Sequence, residues 1–223
     1  MNAAFMAKME QILWLYAQPY DENLPVVCFD ERPCFLIGDT VDGIAMQSGK
    51  VAKENYAYTK HGSCALLAAI EPLSGQRLAS VYKQRTKKEY CTFMQQIALS
   101  YPNASKIRIV QDNLNTHNTS SFYEHLPADE ALSLAQRFEI FYTPKSASWL
   151  NMIEIEFSAL SKQCLNRRIP SQEMLEKQVL TIVKERCEKK IKIDWQFSIL
   201  NARIKLNRHY EKVNNLNAKF KEN

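Results

Sequence analysis

Three carboxylates constrain this chain more than any other feature. Asp30 follows the apolar run Val26-Val27-Cys28-Phe29, Asp112 comes just after Ile107-Arg108-Ile109-Val110, and Glu154 follows Asn151-Met152-Ile153 at the head of an apolar helical stretch. Buried segments do not normally end in an unpaired acid, because desolvating a carboxylate without a partner costs several kcal/mol. A fold in which these ends converge therefore needs a cation to neutralise them. The acids lie 82 and 42 positions apart, so only long-range packing can unite them.

The pattern around them predicts an α/β fold. Phe5, Met9, Ile12, Leu13 and Tyr16 fall at helical spacing and predict a helix over residues 3–17. Residues 26–30 read as a buried strand whose last residue is Asp30. Strands over 56–59 and 63–71 are predicted, with Lys60-His61-Gly62 as the turn between them, and a third over 77–82. Thr86 with Glu89 three residues later is a capping-box pattern opening a helix that ends near Ser100. A strand over 107–110, helices over 119–126 and 128–136, and a strand over 138–142 follow. Meandering strands followed by alternating helices and strands indicate a mixed sheet, part antiparallel and part parallel, flanked by helices.

A helix is predicted over residues 148–166, with Ile153, Phe157, Leu160 and Cys164 forming its apolar stripe. Glu154 falls at the edge of that stripe, whereas Glu156 lies roughly 200° round from it and faces elsewhere. Only one of the two can join Asp30 and Asp112, and Glu154 is the choice. Trp149 and Trp195 read as core anchors, with Trp149 near enough to Glu154 to stack on an unpaired base.

Charge is unevenly spread. Residues 1–159 hold 14 Lys and Arg against 17 Asp and Glu, whereas residues 160–223 hold 15 against 7. A basic end beside an acidic cluster suits a polyanion held while a metal acts on it, although solvated helix faces explain a charge run equally well. The six cysteines form no CxxC pair and no signal-peptide pattern opens the chain, so a reducing, cytoplasmic compartment is expected. No run approaches the roughly 20 apolar residues that cross a bilayer, so no membrane partner is expected.

At this point the chain resembles the catalytic domain of DDE transposases in the bacterial insertion-sequence branch related to mariner elements. The likeness rests on Val26-Val27-Cys28-Phe29-Asp30-Glu31, on Asp112-Asn113-Leu114-Asn115-Thr116-His117, and on Tyr142-Thr143-Pro144-Lys145 running into Ser148-Trp149-Leu150-Asn151-Met152-Ile153-Glu154. It continues through Gln163-Cys164-Leu165-Asn166-Arg167-Arg168-Ile169-Pro170 and Ala202-Arg203-Ile204-Lys205-Leu206. The resemblance implies a ribonuclease-H-like fold, with five strands in its sheet, in which Asp30, Asp112 and Glu154 are catalytic and hold two Mg²⁺ ions, with Mn²⁺ as a substitute. It further implies that water cuts the phosphodiester at a transposon end and that the freed 3′-hydroxyl attacks target DNA. Double-stranded DNA is the implied partner, with Asn113, His117, Lys145, Trp149, Arg167 and Arg168 as candidate DNA contacts and a homodimer in the synapsed state.

The whole of 1–223 is expected to be one catalytic domain, with the helix 3–17 before the first strand and a basic helical part over 171–223. The helix-turn-helix modules usual in the family are expected to be missing, which leaves three alternatives open: the downstream product of a split reading frame, a fragment, or a relic whose recognition comes from a separate N-terminal DNA-binding polypeptide. Two other readings stay open: a truncated or domesticated DNA-binding protein without catalysis, and a ribonuclease-H-like nuclease without strand transfer. Each acid alone also has a plain structural explanation, as a turn, a cap or a solvated helix position.

Overall fold

A computed structural model of the chain describes residues 1–41, 46–51 and 55–220. Five strands form one sheet: β1 (Val26–Asp39), β2 (Tyr58–Ile70), β3 (Arg77–Tyr82), β4 (Ile107–Gln111) and β5 (Phe138–Tyr142), in the order β3-β2-β1-β4-β5. β1, β2 and β3 pair antiparallel, while β1, β4 and β5 run parallel. This is the expected mixed sheet.

Alternation along the central strands sends side chains into two cores. Cys28, Leu66, Ala68, Ile70 and Val110 pack on one face beneath α1 (Ala3–Tyr16), α5 (Ile153–Leu160) and α6 (Gln172–Glu188). Val27, Phe29, Leu67 and Ile109 pack on the other, beneath α2 (Lys87–Ser100), α3 (Ser120–Tyr123) and α4 (Ala128–Arg137). Strands buried on both faces are apolar at nearly every position, which is the composition seen in 26–29 and 64–70. The far side of α1 closes a third cluster, Met6, Met9 and Leu13 packing on Ala147, Leu150 and, from α7 (Ile199–Lys205) and α8 (Asn207–Val213), Ala202 and Tyr210.

Three expectations about element ends are corrected. Asp30 does not end β1: the strand runs nine residues further, to Asp39, because β2 remains paired with it throughout. What ends near Asp30 is the pairing on the other side, where β4 contacts only Val26, Val27 and Cys28. Lys60-His61-Gly62 is likewise no turn but the middle of β2, where the register slips between Phe35 and Ile37. Gly62 has φ of 99° there, so the glycine that reads as a turn serves a β-bulge, which asks for the same left-handed residue.

The third correction concerns the predicted helix over 148–166, which is three pieces. A 3₁₀ turn at Ser148–Leu150 is followed by Asn151 in extended conformation (φ −87°, ψ 113°), then by α5, and then by a π-helical turn at Ser161–Leu165. The buried Asn151 side chain donates to the Phe29 carbonyl at 2.8 Å, and its Oδ1 accepts the Ile153 N–H at 3.4 Å. The break thus pins the start of α5 to β1, one residue before Asp30. Arg32 donates to the Phe157 carbonyl at 3.2 Å and ties the same helix to the same strand further along.

The α2 capping box forms as expected, and the stripe Ile153, Phe157, Leu160 and Cys164 is buried. Trp195 packs edge-on against Tyr16 at 5.3 Å, but Trp149 is 46% exposed and no core anchor. The C-terminal segment from Ser171 packs as α6, α7 and α8 with a 3₁₀ stretch at Asn215–Phe220; residues 221–223 lie outside the described residues. Among the described residues, no helix is long and apolar enough to cross a membrane.

Candidate active site

Asp30 and Asp112 come together because of strand register. Cys28 pairs with Val110 across β1 and β4, an offset of 82, so the same register continued two residues sets Asp30 level with Asp112. The strands part at that point, leaving a notch at the carboxyl ends of parallel strands, where ligand sites in such sheets gather. Both acids line one cleft of about 430 Å³ together with Asn113, Lys145, Ser146 and Lys8 of α1. Glu154 is exposed on the first turn of α5, the helix that Asn151 fastens to β1; it is not among the residues lining that cleft, but its charge acts on Asp30.

The electrostatics register this approach. Burial pushes the Asp30 carboxyl up to about 7; the Glu31 N–H it accepts, at 2.7 Å, works against that, the negative charge of Asp112 adds to it, His117 opposes it, and Glu154 adds again. Neither Asp30 nor Glu154 has a cationic partner within 4.0 Å among the described residues. Their donor set is all oxygen, which suits a hard divalent cation. Among the described residues, no three His, Cys, Asp or Glu side chains are already drawn into a ligand shell. One of the three acids is turned to a protein partner.

That acid is Asp112, and its partner is His117. Asp112 Oδ1 lies 2.5 Å from His117 Nδ1 and also accepts the Leu114 N–H at 3.3 Å. The His117 ring is fully buried, stacked on Tyr90 at 5.0 Å and edge-on to Phe29 at 5.2 Å. Its Nε2 stands 3.5 Å from Glu31, an electrostatic contact rather than a formed hydrogen bond. Burial alone would lower the imidazole, but the hydrogen bond to Asp112 and the Glu31 carboxylate raise it to about 9. His117 is thus a cation at neutral pH and steadies the Asp112 turn. Gln111 and Tyr142 donate to its backbone carbonyl at 2.8 and 3.1 Å.

The candidate DNA contacts divide. His117, stacked and buried, orients the loop after Asp112 and offers no face to a phosphate. Arg168 is corrected, since its guanidinium pairs with Asp39 and donates to the Ala57 and Asn55 carbonyls. Arg167 is exposed while its Nε donates to the Cys164 carbonyl at 3.1 Å. Asn113 and Lys145 line the cleft, and Trp149 stands exposed with its ring edge-on to Phe197 at 5.6 Å. The basic C-terminal third is also less available than its composition suggests, with Arg186 on Glu156, Arg203 on Glu10, Lys189 on Glu185 and Lys184 near Glu188.

Sequence reasoning missed two groups. Glu156 is 1% exposed, with Arg77 Nε at 2.9 Å and Arg186 donating to both its oxygens at 2.9 and 3.0 Å. This ion cluster anchors the back of α5 to β3 and α6. Glu31 and Lys8 were missed as well; the position of Glu31 beside Asp30 was the only available signal for it, and nothing local marked Lys8.

Comparison with known proteins agrees with the geometry. The chain superposes on the Mos1 mariner paired-end complex with Mn with a TM-score of 0.57 at 12% identity, covering 100% of this chain and 64% of that one. The Mos1 transposase paired-end complex with left transposon end matches with a TM-score of 0.57 at 14% identity, over 100% and 65%. The Mos1 strand transfer complex does so with 0.57 at 12%, over 100% and 63%. The chain therefore spans a little under two thirds of the length of those relatives, and at such identity the likeness is one of fold, the ribonuclease-H-like one. A search of curated proteins found no match. The sequence profile described as DDE superfamily endonuclease matches residues 25–176, from the first residue before β1 into α6 and so across all three acids. By that match over most of its length, the chain belongs to the DDE superfamily endonucleases.

Proposed function

We propose that this chain is the catalytic part of an insertion-sequence transposase that cleaves DNA strands and transfers them to a target, with Asp30, Asp112 and Glu154 as its catalytic residues. One observation carries the reading: Asp30 sits desolvated in the notch between β1 and β4, its carboxyl pushed up to about 7, with the charges of Asp112 and Glu154 both acting on it. A site that raises the energy of its own carboxylates in this way favours a counter-cation.

The three acids would hold divalent ions, Mg²⁺ or Mn²⁺, two per site. When bound, such ions lower the pKa of an attacking oxygen and stabilise the leaving oxygen of a phosphodiester. The chain's own residues do the rest. Asn151 fixes the α5 start against β1 so that Glu154 and Asp30 share one frame, and His117 holds the turn that carries Asp112. Asn113, Lys145 and Trp149 line or border the cleft, where they would meet DNA backbone or an unstacked base.

In this reading residues 1–223 act as a single catalytic domain in the cytoplasm, with α6 packed against α5 and with α7 and α8 packed against α1. A homodimer forms when two transposon ends are synapsed. The deciding experiment is a nicking and strand-transfer assay on duplex DNA with Mg²⁺ or Mn²⁺, wild type against Asp112→Asn. Wild-type cleavage that the substitution removes is expected. Equal cleavage by both proteins would refute the assignment. Cleavage without joining would reduce it to a nuclease, and salt-dependent binding without cleavage would favour a non-catalytic DNA-binding protein.

A further inference from the structure

The cleft that holds Asp30 and Asp112 does not end at the acids. A second cavity of about 470 Å³ adjoins it, and the two share Lys8, Pro144, Lys145 and Ser146 as a common wall. The second cavity runs toward the first turn of α1, and no carboxylate lines it. The first turn of α1 also carries no acid. The groove therefore changes character along its length, from acids in the notch to two lysines and a helix start free of negative charge.

The lysines differ from several arginines that are tied up within the fold. Arg77, Arg168, Arg186 and Arg203 all sit on carboxylates. Lys8 and Lys145 have no ion pair among the described residues, although both border a cleft containing two acids. An ammonium left unpaired beside an acidic pocket is placed for an anion that arrives from outside. Ser146, between them in the wall, has φ of 60°, so the loop holds a backbone shape costly for a non-glycine residue. Lys8 belongs to α1, outside the residues matched by the family profile, so no family position assigns it.

We propose that Lys8, together with Lys145, binds consecutive phosphates of the DNA strand running out of the acid pocket along the groove between α1 and the loop 143–148. The inference rests on the reading of the acid cleft as a DNA-cleaving site and adds to it a strand track, with Lys8 as a substrate-binding residue. Lys8 acts as a point charge on the backbone and carries no sequence preference.

The test is equilibrium binding of a fluorescent duplex and of a single-stranded oligonucleotide in metal-free buffer across a salt series, with the full chain. Lys8→Ala and Lys8→Gln are each expected to lower the slope of log K against log salt by about 1, and the double variant with Lys145→Ala by about 2. Lys8→Glu should weaken binding further, and Lys8→Arg should keep the wild-type slope. Lys189→Ala, which removes a lysine from a surface pair with Glu185, should change nothing, and melting curves should coincide for all variants. An unchanged slope and affinity in Lys8→Ala and Lys8→Glu would overturn the proposal, as would absence of salt-dependent binding by the wild type. Asp112→Asn separates the two readings. If it abolishes nicking while the Lys8 variants bind like wild type, the strand track falls and the cleavage site stands. If it leaves nicking intact, the functional reading itself falls.

Discussion

Two glutamates two residues apart on α5 lead opposite lives. Glu156 is buried with every oxygen facing a guanidinium, Arg77 on one side and Arg186 on the other. Glu154, roughly 200° round the helix from it, is exposed and has no cationic partner within 4.0 Å among the described residues. A carboxylate whose partners come from its own chain is part of the scaffold, since removing it strands buried charge. A carboxylate without such partners whose charge acts on a second acid, as that of Glu154 acts on Asp30, is free to take a ligand, as the proposed function requires. Residue type and helical position are nearly the same, so completeness of the surrounding shell is what separates structure from chemistry here.

The sharpest way to break this contrast is Glu154→Gln. Cleavage in the nicking assay should be lost, while stability to urea stays within about 0.5 kcal/mol of wild type, as for a surface change. Retained cleavage would remove Glu154 from the site. Next in size, Glu156→Ala should lower stability by about 3–5 kcal/mol, because Arg77 is left buried with its charge unanswered. A urea midpoint equal to wild type would show the ion cluster to be dispensable. His117→Ala should weaken Mn²⁺ binding by about 10- to 100-fold, the usual effect of losing a group that orients a ligand, read by calorimetry and not by turnover.

The smallest effect is in pH. In metal-free buffer, burial holds Asp30 protonated up to about 7, well above the unfolded value of about 4. The folded state then binds the extra proton, so this group lowers stability as pH rises from about 4 through about 7. Glu10 does the reverse: the Arg203 hydrogen bonds keep its carboxyl low, and its contribution is lost as pH falls below the ordinary carboxylate range. Urea midpoints against pH should show Asp30→Asn flattening the first limb and Arg203→Ala the second, and a wild-type profile in either variant would contradict its assignment.

Where order in the sequence mirrors order in space, the chain was legible. The α2 capping box, β5 bounded by Thr143-Pro144, and the α5 stripe all rest on neighbours within a turn or two. The offset of 82 between Asp30 and Asp112 equals the β1–β4 register, yet that equality is visible only once the strands are paired. Gly62 misled because a bulge and a turn ask the backbone for the same left-handed residue. The break at Asn151 was hidden because its partner, the Phe29 carbonyl, lies 122 residues away. The same distance concealed the fates of Arg168 and Glu156, whose partners come from other elements. Lys8 left no mark at all, since only the docking of α1 brings it to the cleft.

The Asn151 bond to Phe29 has a mechanical consequence. It makes one jaw of the site from β1 and α5 together, so Asp30 and Glu154 move as a unit whenever the helix shifts. Asp112 forms the other jaw, mounted on a turn braced by the stacked His117 imidazole, the Leu114 N–H and the Gln111 and Tyr142 bonds to the His117 carbonyl. If the site acts as proposed, any adjustment to what it binds would fall on the turn that bears Asp112, while the opposite jaw keeps its spacing.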